Sequence, residues 1–162
     1  MKALLRELFP DLIGEFKEGD FCILNVLSFY DKTGFLLSSK LRDTSPRKFR
    51  PIIITQILGE KVSFVATTTD IAKRDQKIDI SQCKISKPKE ECSGIDLKRK
   101  YTWLFTKKTK SKRTRVYFRI DIHTLKYLKE NNNFRICGTC PKVVLEEIEE
   151  KIKNLGEIYE QD

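Results

Sequence analysis

Two neighbouring apolar segments, both rich in β-branched residues, constrain the fold of this chain most strongly. They read RPIIIT, residues 50–55, and KVSFVATT, residues 61–68, and the turn sequence LGEK lies at their junction. Isoleucine and valine favour extended backbone in a buried sheet, and a glycine in a short connection favours a turn. The two segments therefore predict a central pair of antiparallel strands.

Other segments add strands to this pair. GDFCILNVLSF, residues 19–29, predicts an earlier strand, and a short leading helix is expected over residues 2–9. The segments KYTWLFTKK, residues 100–108, and RTRVYFRIDI, residues 113–122, flank the polar sequence TKSK. Their alternating pattern predicts a later hairpin.

Two helices are predicted in the last third of the chain. Asp121 is a suitable N-cap for the first helix, and Pro141 fits the first turn of the second, which ends at Gly156. The apolar positions are Ile122, Leu125 and Leu128 in the first helix and Leu145, Ile148, Ile152 and Leu155 in the second. Their spacing gives each helix one apolar face, and the segment FRIC between them predicts a short strand.

The order of these elements indicates the fold class. A meander of several strands, followed by a small helix, a strand and a closing helix, is typical of a small antiparallel barrel that is mainly β with helical additions, an α+β class. At 162 residues the chain fits one domain, residues 1–162, in which residues 71–100 lack clear periodicity and are interpreted as an insertion. No segment has the length of a membrane span, and charged residues interrupt the first twelve positions, so a cytoplasmic protein is expected.

The charge is distributed unevenly along the chain. The formal net charge is +9, but residues 142–162 hold seven acidic and three basic residues, so this tail carries −4 and the remainder +13. Most of the excess lies in Leu97–Arg119, which contains ten Lys or Arg, five aromatic residues and no acid. Cations beside flat rings are typical of proteins that bind single-stranded nucleic acid. A solvated hairpin whose lysines prevent aggregation of a strand edge is the alternative.

Within this segment, the expected contacts to nucleic acid are Lys107, Lys108, Lys110, Lys112, Arg113 and Arg115. They cluster around the sequence TKSK, at the predicted tip of the later hairpin. Contacts of this kind neutralise phosphates and do not depend on base sequence.

Five cysteines leave several kinds of chemistry open. They are Cys22, Cys83, Cys92, Cys137 and Cys140. A reducing cytosol would leave most of them as thiols. The motif CGTC has the spacing of half a zinc site, or of a thiol redox motif between a strand and a helix, but a second close pair and a βαβ pattern are both missing. Zinc and redox chemistry are therefore minor alternatives, and no metal or cofactor is expected.

Arg50 is the first residue of the most apolar predicted strand. Pro51 fixes its own φ and pushes Arg50 towards extended geometry, which holds the guanidinium at the strand entrance. The following strand ends in ATTTD, and this end adjoins Arg50 in an antiparallel pair. Arginine beside hydroxyl groups suits a phosphate, because the guanidinium neutralises the oxygens of a pentacoordinate phosphorane. A surface ion pair with ordinary strand threonines is the alternative interpretation.

Four segments in the same order resemble the MazF/PemK family of endoribonuclease toxins. They are GDFCILNV, FRPIIIT, VATTTD and ICGTCPKVVLEEIEEKI. The resemblance implies an SH3-like barrel that forms a homodimer and cuts single-stranded RNA without metal. Attack by the neighbouring 2′-hydroxyl would leave a cyclic phosphate. It also implies a separate antitoxin protein as a partner.

The resemblance also assigns roles to residues. The family's arginine before proline falls on Arg50, and its catalytic threonine or serine falls on Thr68, or on Thr67 or Thr69 if the register slips. The expected RNA contacts beside this site are Arg47, Lys48, Thr67 and Thr69. The only histidine, His123, is interpreted as a solvated helix residue outside the site. A non-catalytic barrel that binds nucleic acid through its basic segment is the rival function.

Overall fold

The structure is a computed structural model that describes most of the chain after residue 15. The described residues are 16–37, 46–68, 77–88, 90–92, 95, 101–104, 117–153 and 159–161, with backbone alone at 68, 101–104 and 159. They form an α+β fold of mainly antiparallel sheet with nine strands and three helices, which confirms the predicted class. The predicted leading helix over residues 2–9 lies outside them. No helix in these ranges is long and apolar enough to cross a membrane.

The elements follow one another along the chain with short strands in the middle. The strands are β1 (Asp20–Asn25), β2 (Phe49–Leu58), β3 (Lys61–Thr68), β4 (Lys77–Asp79), β5 (Lys84–Ile85), β6 (Tyr101–Leu104), β7 (Tyr117–Asp121), β8 (Phe134–Thr139) and β9 (Tyr159–Glu160). The helices are α1 (Val26–Thr33), α2 (Ile122–Glu130) and α3 (Lys142–Ile152).

The sheet is built around β2, which pairs antiparallel with β1 on one side and with β3 on the other. β1 continues to β8, and β8 to β5, so the main path has the order β4-β6-β3-β2-β1-β8-β5. β7 lies beside β3, and β9 lies beside β7. The predicted central hairpin is therefore confirmed as β2 and β3, and among the described residues the pairings leave the sheet open at its edges.

The predicted hairpin between residues 100–108 and 113–122 is wrong for the strands that the structure describes. β6 and β7 pair with different stretches of β3 and not with each other, with Thr68 opposite Trp103 and Val65 opposite Tyr117. β3 has eight residues, whereas β6 has four and β7 has five, so β3 is long enough to pair with both. The side chains of Trp103 and its neighbours in β6 lie outside the description.

Phenylalanine side chains form the centre of the core. Phe64 of β3 and Phe118 of β7 stack with ring centroids 5.2 Å apart, and Phe29 of α1 meets them edge-on at 5.7 and 5.6 Å. All three are fully buried. Edge-to-face and offset pairs of this kind stabilise a core beyond simple area burial. We call these three residues the aromatic core, which fixes α1 on the sheet.

The predicted first strand over residues 19–29 is too long, because α1 begins in its second half. The Asn25 side chain accepts a hydrogen bond from the Ser28 amide at 2.9 Å and so caps the helix. Gly34, with φ 76°, ends the helix in the left-handed conformation that glycine adopts without strain. An asparagine and a glycine nine positions apart were the signals for this helix.

Helices α2 and α3 confirm the two predicted helices. The Asp121 carboxylate accepts a hydrogen bond from the His123 amide at 2.8 Å, which is the expected N-cap. The buried positions are Ile122, Leu125 and Leu128 in α2 and Val144, Ile148 and Ile152 in α3. Leu145 packs only partly against the core, and Leu155 lies outside the described residues.

Four of the five cysteines form two disulfides, which corrects the expectation that most are thiols. Cys83 is bonded to Cys140 and Cys92 to Cys137, while Cys22 is a buried thiol. The antiparallel pairing of β5 with β8 brings these distant segments side by side. The two cysteines of CGTC therefore belong to different disulfides, so the motif forms neither a thiol redox pair nor half of a zinc site.

Candidate phosphate site at the Arg50 end of the sheet

Arg50 lies near the start of β2, at the open end of the β2–β3 hairpin. Its Cα is paired with Leu24 of β1, and the residue is only 9% exposed. On the other side, Ile52 is paired with Ala66. Continuing this antiparallel register by two residues puts Arg50 opposite Thr68. The two residues that the sequence predicts as partners thus lie on neighbouring strands at one end of the sheet.

The junction between Arg50 and Pro51 is held from both sides. Pro51 is paired with Ile23 of β1, and its carbonyl oxygen accepts a hydrogen bond from the Thr67 hydroxyl at 3.2 Å. Thr67 is fully buried, so its hydroxyl joins β2 to β3 and has a structural role. Of the other two candidate threonines, Thr68 is described by its backbone alone, and Thr69 lies outside the described residues.

The start of β2 is strongly cationic. Partial burial lowers the pKa of Lys48, and the nearby charge of Arg50 lowers it further. Arg47 precedes Lys48 and is exposed. Three cations within four positions raise the local potential, and an anion bound there would relieve the repulsion between Lys48 and Arg50. The predicted cationic contacts Arg47 and Lys48 therefore lie beside Arg50.

Asn25 frames this site and was missed by the sequence interpretation. Its Cα is paired with Phe49, directly before Arg50. Its side-chain nitrogen donates a hydrogen bond to the Pro46 carbonyl at 2.8 Å. The Val26 amide adds a hydrogen bond to the Lys48 carbonyl at 3.0 Å. The cap of α1 thus anchors residues 46–49, and recognising Asn25 as a helix cap would have revealed it.

The basic segment is attached close to the same end of the sheet. Leu104, the last residue of β6, is paired with Thr67, and Tyr117, the first residue of β7, is paired with Val65. The end of β6 and the start of β7 therefore both lie near the end of β3 that adjoins Arg50, and residues 105–116 connect them along the chain. The predicted contacts Lys107, Lys108, Lys110, Lys112, Arg113 and Arg115 all fall in this segment, outside the described residues.

His123 lies on α2, and the described acidic residues form no cluster that could hold a metal ion. His123 is exposed on α2, with its Nε2 atom 3.9 Å from a carboxylate oxygen of Glu60, as expected for a solvated histidine. In the described parts of the chain, no group of three or more His, Cys, Asp or Glu side chains is positioned to hold a metal ion. Comparison with protein-family models, with curated proteins and with solved structures gave no match to this chain.

Proposed function

We propose that this protein binds single-stranded RNA at the Arg50 end of the sheet and cleaves it without a metal ion. The observation that carries the proposal is the position of Arg50, which is almost fully buried near the start of β2. The pairing of Ile52 with Ala66, continued by two residues, leads from Arg50 to Thr68. A guanidinium presents its donors in a planar fork that matches a phosphate, and Arg47 and Lys48 beside it make this end of the sheet cationic, which favours a phosphate ligand.

In the proposed reaction, the 2′-hydroxyl of the nucleotide attacks the adjacent phosphorus and loses its proton to water. The bond from phosphorus to the 5′-oxygen breaks, and this oxygen takes a proton from water. The products are a 2′,3′-cyclic phosphate and a 5′-hydroxyl end. Arg50 neutralises the charge that develops on the phosphorane oxygens, and the Thr68 hydroxyl positions the phosphate through a hydrogen bond.

The same proposal covers the fold family and the partners. The succession of β1, β2 and β3, followed by β7, α2, β8 and α3, supports assignment to the SH3-like barrels of the MazF/PemK toxins. A homodimer and a separate acidic antitoxin belong to this proposal, since a body of net charge +13 suits an acidic partner. Light scattering of the purified protein tests the dimer, and a mass of one chain at all concentrations would contradict it.

The direct test is incubation of the full chain with a long single-stranded RNA in EDTA. We expect cleavage that leaves 2′,3′-cyclic phosphate ends. Arg50→Ala should lower the cleavage rate roughly 10²-fold or more, as loss of one transition-state donor commonly does. Arg50→Lys keeps the charge but loses the planar fork, so it should remain well below wild type. Lys153→Ala, at an exposed position beyond α3, is the control for lost charge.

Two results would reject the catalytic assignment. One is an absolute requirement for Mg²⁺ or the formation of 5′-phosphate ends, which indicates a metal-assisted reaction. The other is cleavage at the wild-type rate by Arg50→Ala, which would show that the guanidinium does not act on the phosphate.

A non-catalytic RNA-binding protein is the second candidate, favoured by the basic segment attached beside β3. Six cations and no acid lie between residues 105 and 116. Replacement of Lys107, Lys108, Lys110 and Lys112 by Ala should flatten the dependence of log affinity on log salt, by about 0.7 per lost phosphate contact. Salt-dependent binding by wild type without any cleavage supports this candidate, and an unchanged slope in the variant opposes it.

A further inference from the structure

A second cationic site lies at the opposite edge of the sheet from β3. It is a cavity of about 600 Å³ between β8, the end of α2 and the segment that follows β5. This volume falls within the range of pockets that hold small organic ligands. We call the segment after β5, residues 86–88 and 90–92, the arch, because it spans β8 and forms one wall of the cavity.

Hydrogen bonds and a disulfide hold the arch on β8. The amides of Ser86 and Lys87 donate hydrogen bonds to the Cys137 carbonyl at 2.8 and 3.3 Å, and the Ser86 hydroxyl donates another at 3.3 Å. The Arg135 guanidinium donates one to the Glu91 carbonyl at 3.0 Å. At the far end of the arch, Cys92 forms a disulfide with Cys137. The cavity wall is thus fixed at both ends, and a covalent bond defines its shape.

The charges that line the cavity are mainly positive. Lys87 comes from the arch, Lys129 from α2 and Arg135 from β8, whereas Glu91 is the single acid among the lining residues. Arg135 lies over the Phe49 ring at 5.8 Å, in addition to its hydrogen bond to the arch. Such a guanidinium is oriented before any ligand arrives, which lowers the entropy lost on binding. Three cations from three elements favour an anion with several oxygens, such as phosphate.

The remaining wall of the cavity is apolar. Among its apolar residues, Ile136 of β8 is partly exposed, whereas Phe134 and Cys92 are only 1% and 2% exposed. A free phosphate would leave the exposed part of Ile136 in water, whereas a ligand with an apolar body would cover it. The combination of an apolar wall and three cations is therefore suited to a phosphate joined to an aromatic ring system.

We propose that this cavity binds a nucleotide, with its phosphate on Lys87, Lys129 and Arg135 and its base against Ile136. The nucleotide is either a free molecule or one unit of an RNA strand. Arg50 is paired with Leu24, and Leu24 with Phe134, so the cavity begins two strand spacings, about 10 Å, from the Arg50 site. Binding of a free nucleotide does not depend on the proposed cleavage. Only the alternative in which the nucleotide belongs to an RNA strand rests on the proposed function.

The test is binding of adenosine 5′-monophosphate to the oxidised protein, measured by calorimetry. We expect saturable binding that Lys87→Gln and Arg135→Gln each weaken roughly 10-fold, since each removes a charged hydrogen bond to phosphate. Lys153→Gln changes the net charge equally outside the cavity and should bind as wild type does. Because Arg135 also contacts the arch, Lys87→Gln is the variant that separates ligand contact from arch docking.

Two further ligands identify the source of the nucleotide. A short RNA with 2′-O-methyl groups cannot undergo the proposed cleavage, and its competition with adenosine monophosphate would show that the cavity takes a unit of RNA. Binding of the monophosphate alone would show a site for a free nucleotide. Weaker monophosphate binding by Lys87→Gln is measured without any RNA cleavage, so failure of the cleavage proposal and failure of this one are distinguishable.

The disulfide gives an independent test of the cavity wall. Dithiothreitol reduces the Cys92–Cys137 bond to two thiols and is itself oxidised to its cyclic disulfide. Reduction, or the double change Cys92→Ala with Cys137→Ala, should weaken monophosphate binding at least 10-fold, because the arch is then held by hydrogen bonds alone. Equal binding of inorganic phosphate and adenosine monophosphate, unchanged binding by Lys87→Gln, or no binding at millimolar nucleotide would overturn the proposal.

Discussion

The two sides of the sheet are held together by different means. On the β3 side, the aromatic core packs strands of five to ten residues beneath α1. On the β8 side, β5 contributes only two residues, and the disulfides Cys83–Cys140 and Cys92–Cys137 attach it and the arch. We call β5, β8 and the arch the disulfide edge. The contrast indicates that a strand too short to bury a row of side chains is retained by covalent bonds.

The largest loss of stability is expected from Phe118→Ala in the aromatic core. Phe118 is fully buried and contacts both Phe29 and Phe64. Removing its ring leaves a cavity, so the free energy of unfolding should fall by about 3–5 kcal/mol. Urea denaturation of the full chain measures this change. Leu58→Ala, at a position that is 61% exposed, is the control and should change stability by less than about 0.5 kcal/mol. Similar values for both variants would contradict the assigned core.

A smaller and more local effect is expected from loss of one disulfide. The double change Cys92→Ala with Cys137→Ala opens a cross-link between residues 45 positions apart and should cost about 2–4 kcal/mol. Amide hydrogen exchange should show the greatest loss of protection at β5 and β8, with β2 and β3 less affected. Equal loss in all four strands would show that the two sides form one cooperative unit and would remove the contrast.

Gly138→Ala tests how closely β5 approaches β8. A Cβ atom at Gly138 would lie 2.8 Å from the Ile85 Cα and would also meet the Lys84 carbonyl. Overpacking against backbone should destabilise the fold by about 1–3 kcal/mol.

Gly34→Ala is the matched control for this change, because a Cβ atom there meets nothing within 4 Å. That variant carries only the cost of positive φ at the end of α1, about 1–2 kcal/mol, and should leave exchange at β5 unchanged. If Gly138→Ala also left exchange at β5 unchanged, the two strands would not be in close contact.

The smallest expected effect on stability comes from the titration of Asp20, which is paired with Thr139 at the disulfide edge. Burial raises the pKa of Asp20 above its ordinary value of 3.8, against the opposing hydrogen bond from the Lys17 amide. The folded state therefore holds this proton more tightly than the unfolded state. This contribution to stability is present at low pH and is lost as pH rises above about 3.8 through the folded pKa.

Asp20→Asn should remove this part of the pH dependence, and the variant should gain stability relative to wild type between pH 4 and 7. Urea denaturation at both pH values measures the gain, and Asp31→Asn at an exposed position of α1 is the control. A constant difference between Asp20→Asn and wild type across this range would refute the assigned burial effect.

The sequence predicted the elements whose signals are local. β2 and β3 were identified from runs of β-branched residues, and α2 from its Asp121 cap and the spacing of Leu125 and Leu128. That Arg50 lies beside the end of β3 also follows from sequence, because a short turn makes β2 and β3 an antiparallel pair. The exact partner does not follow, because a register shift between Ile54 and Gln56 moves the pairing by one residue.

The missed features depend on contacts between distant segments. The pairing of Cys83 with Cys140 requires β5 to lie on β8, and two residues carry no periodicity that predicts this. The position of β7 depends on the free edge of β3, which is visible only once the sheet is assembled. The hydrogen bond from Thr67 to Pro51 depends on which way one hydroxyl points, and an alternating pattern does not specify it.

The two disulfides are nested, since the bond from Cys83 to Cys140 encloses the bond from Cys92 to Cys137. The lysines and arginines between residues 98 and 115 all lie inside both closed rings. A single cut by trypsin, which cleaves after lysine or arginine, would therefore give two pieces that the two disulfides still join. Residues 98–115 thus contain many trypsin sites, yet a single cut there releases neither piece until a reductant opens both disulfides.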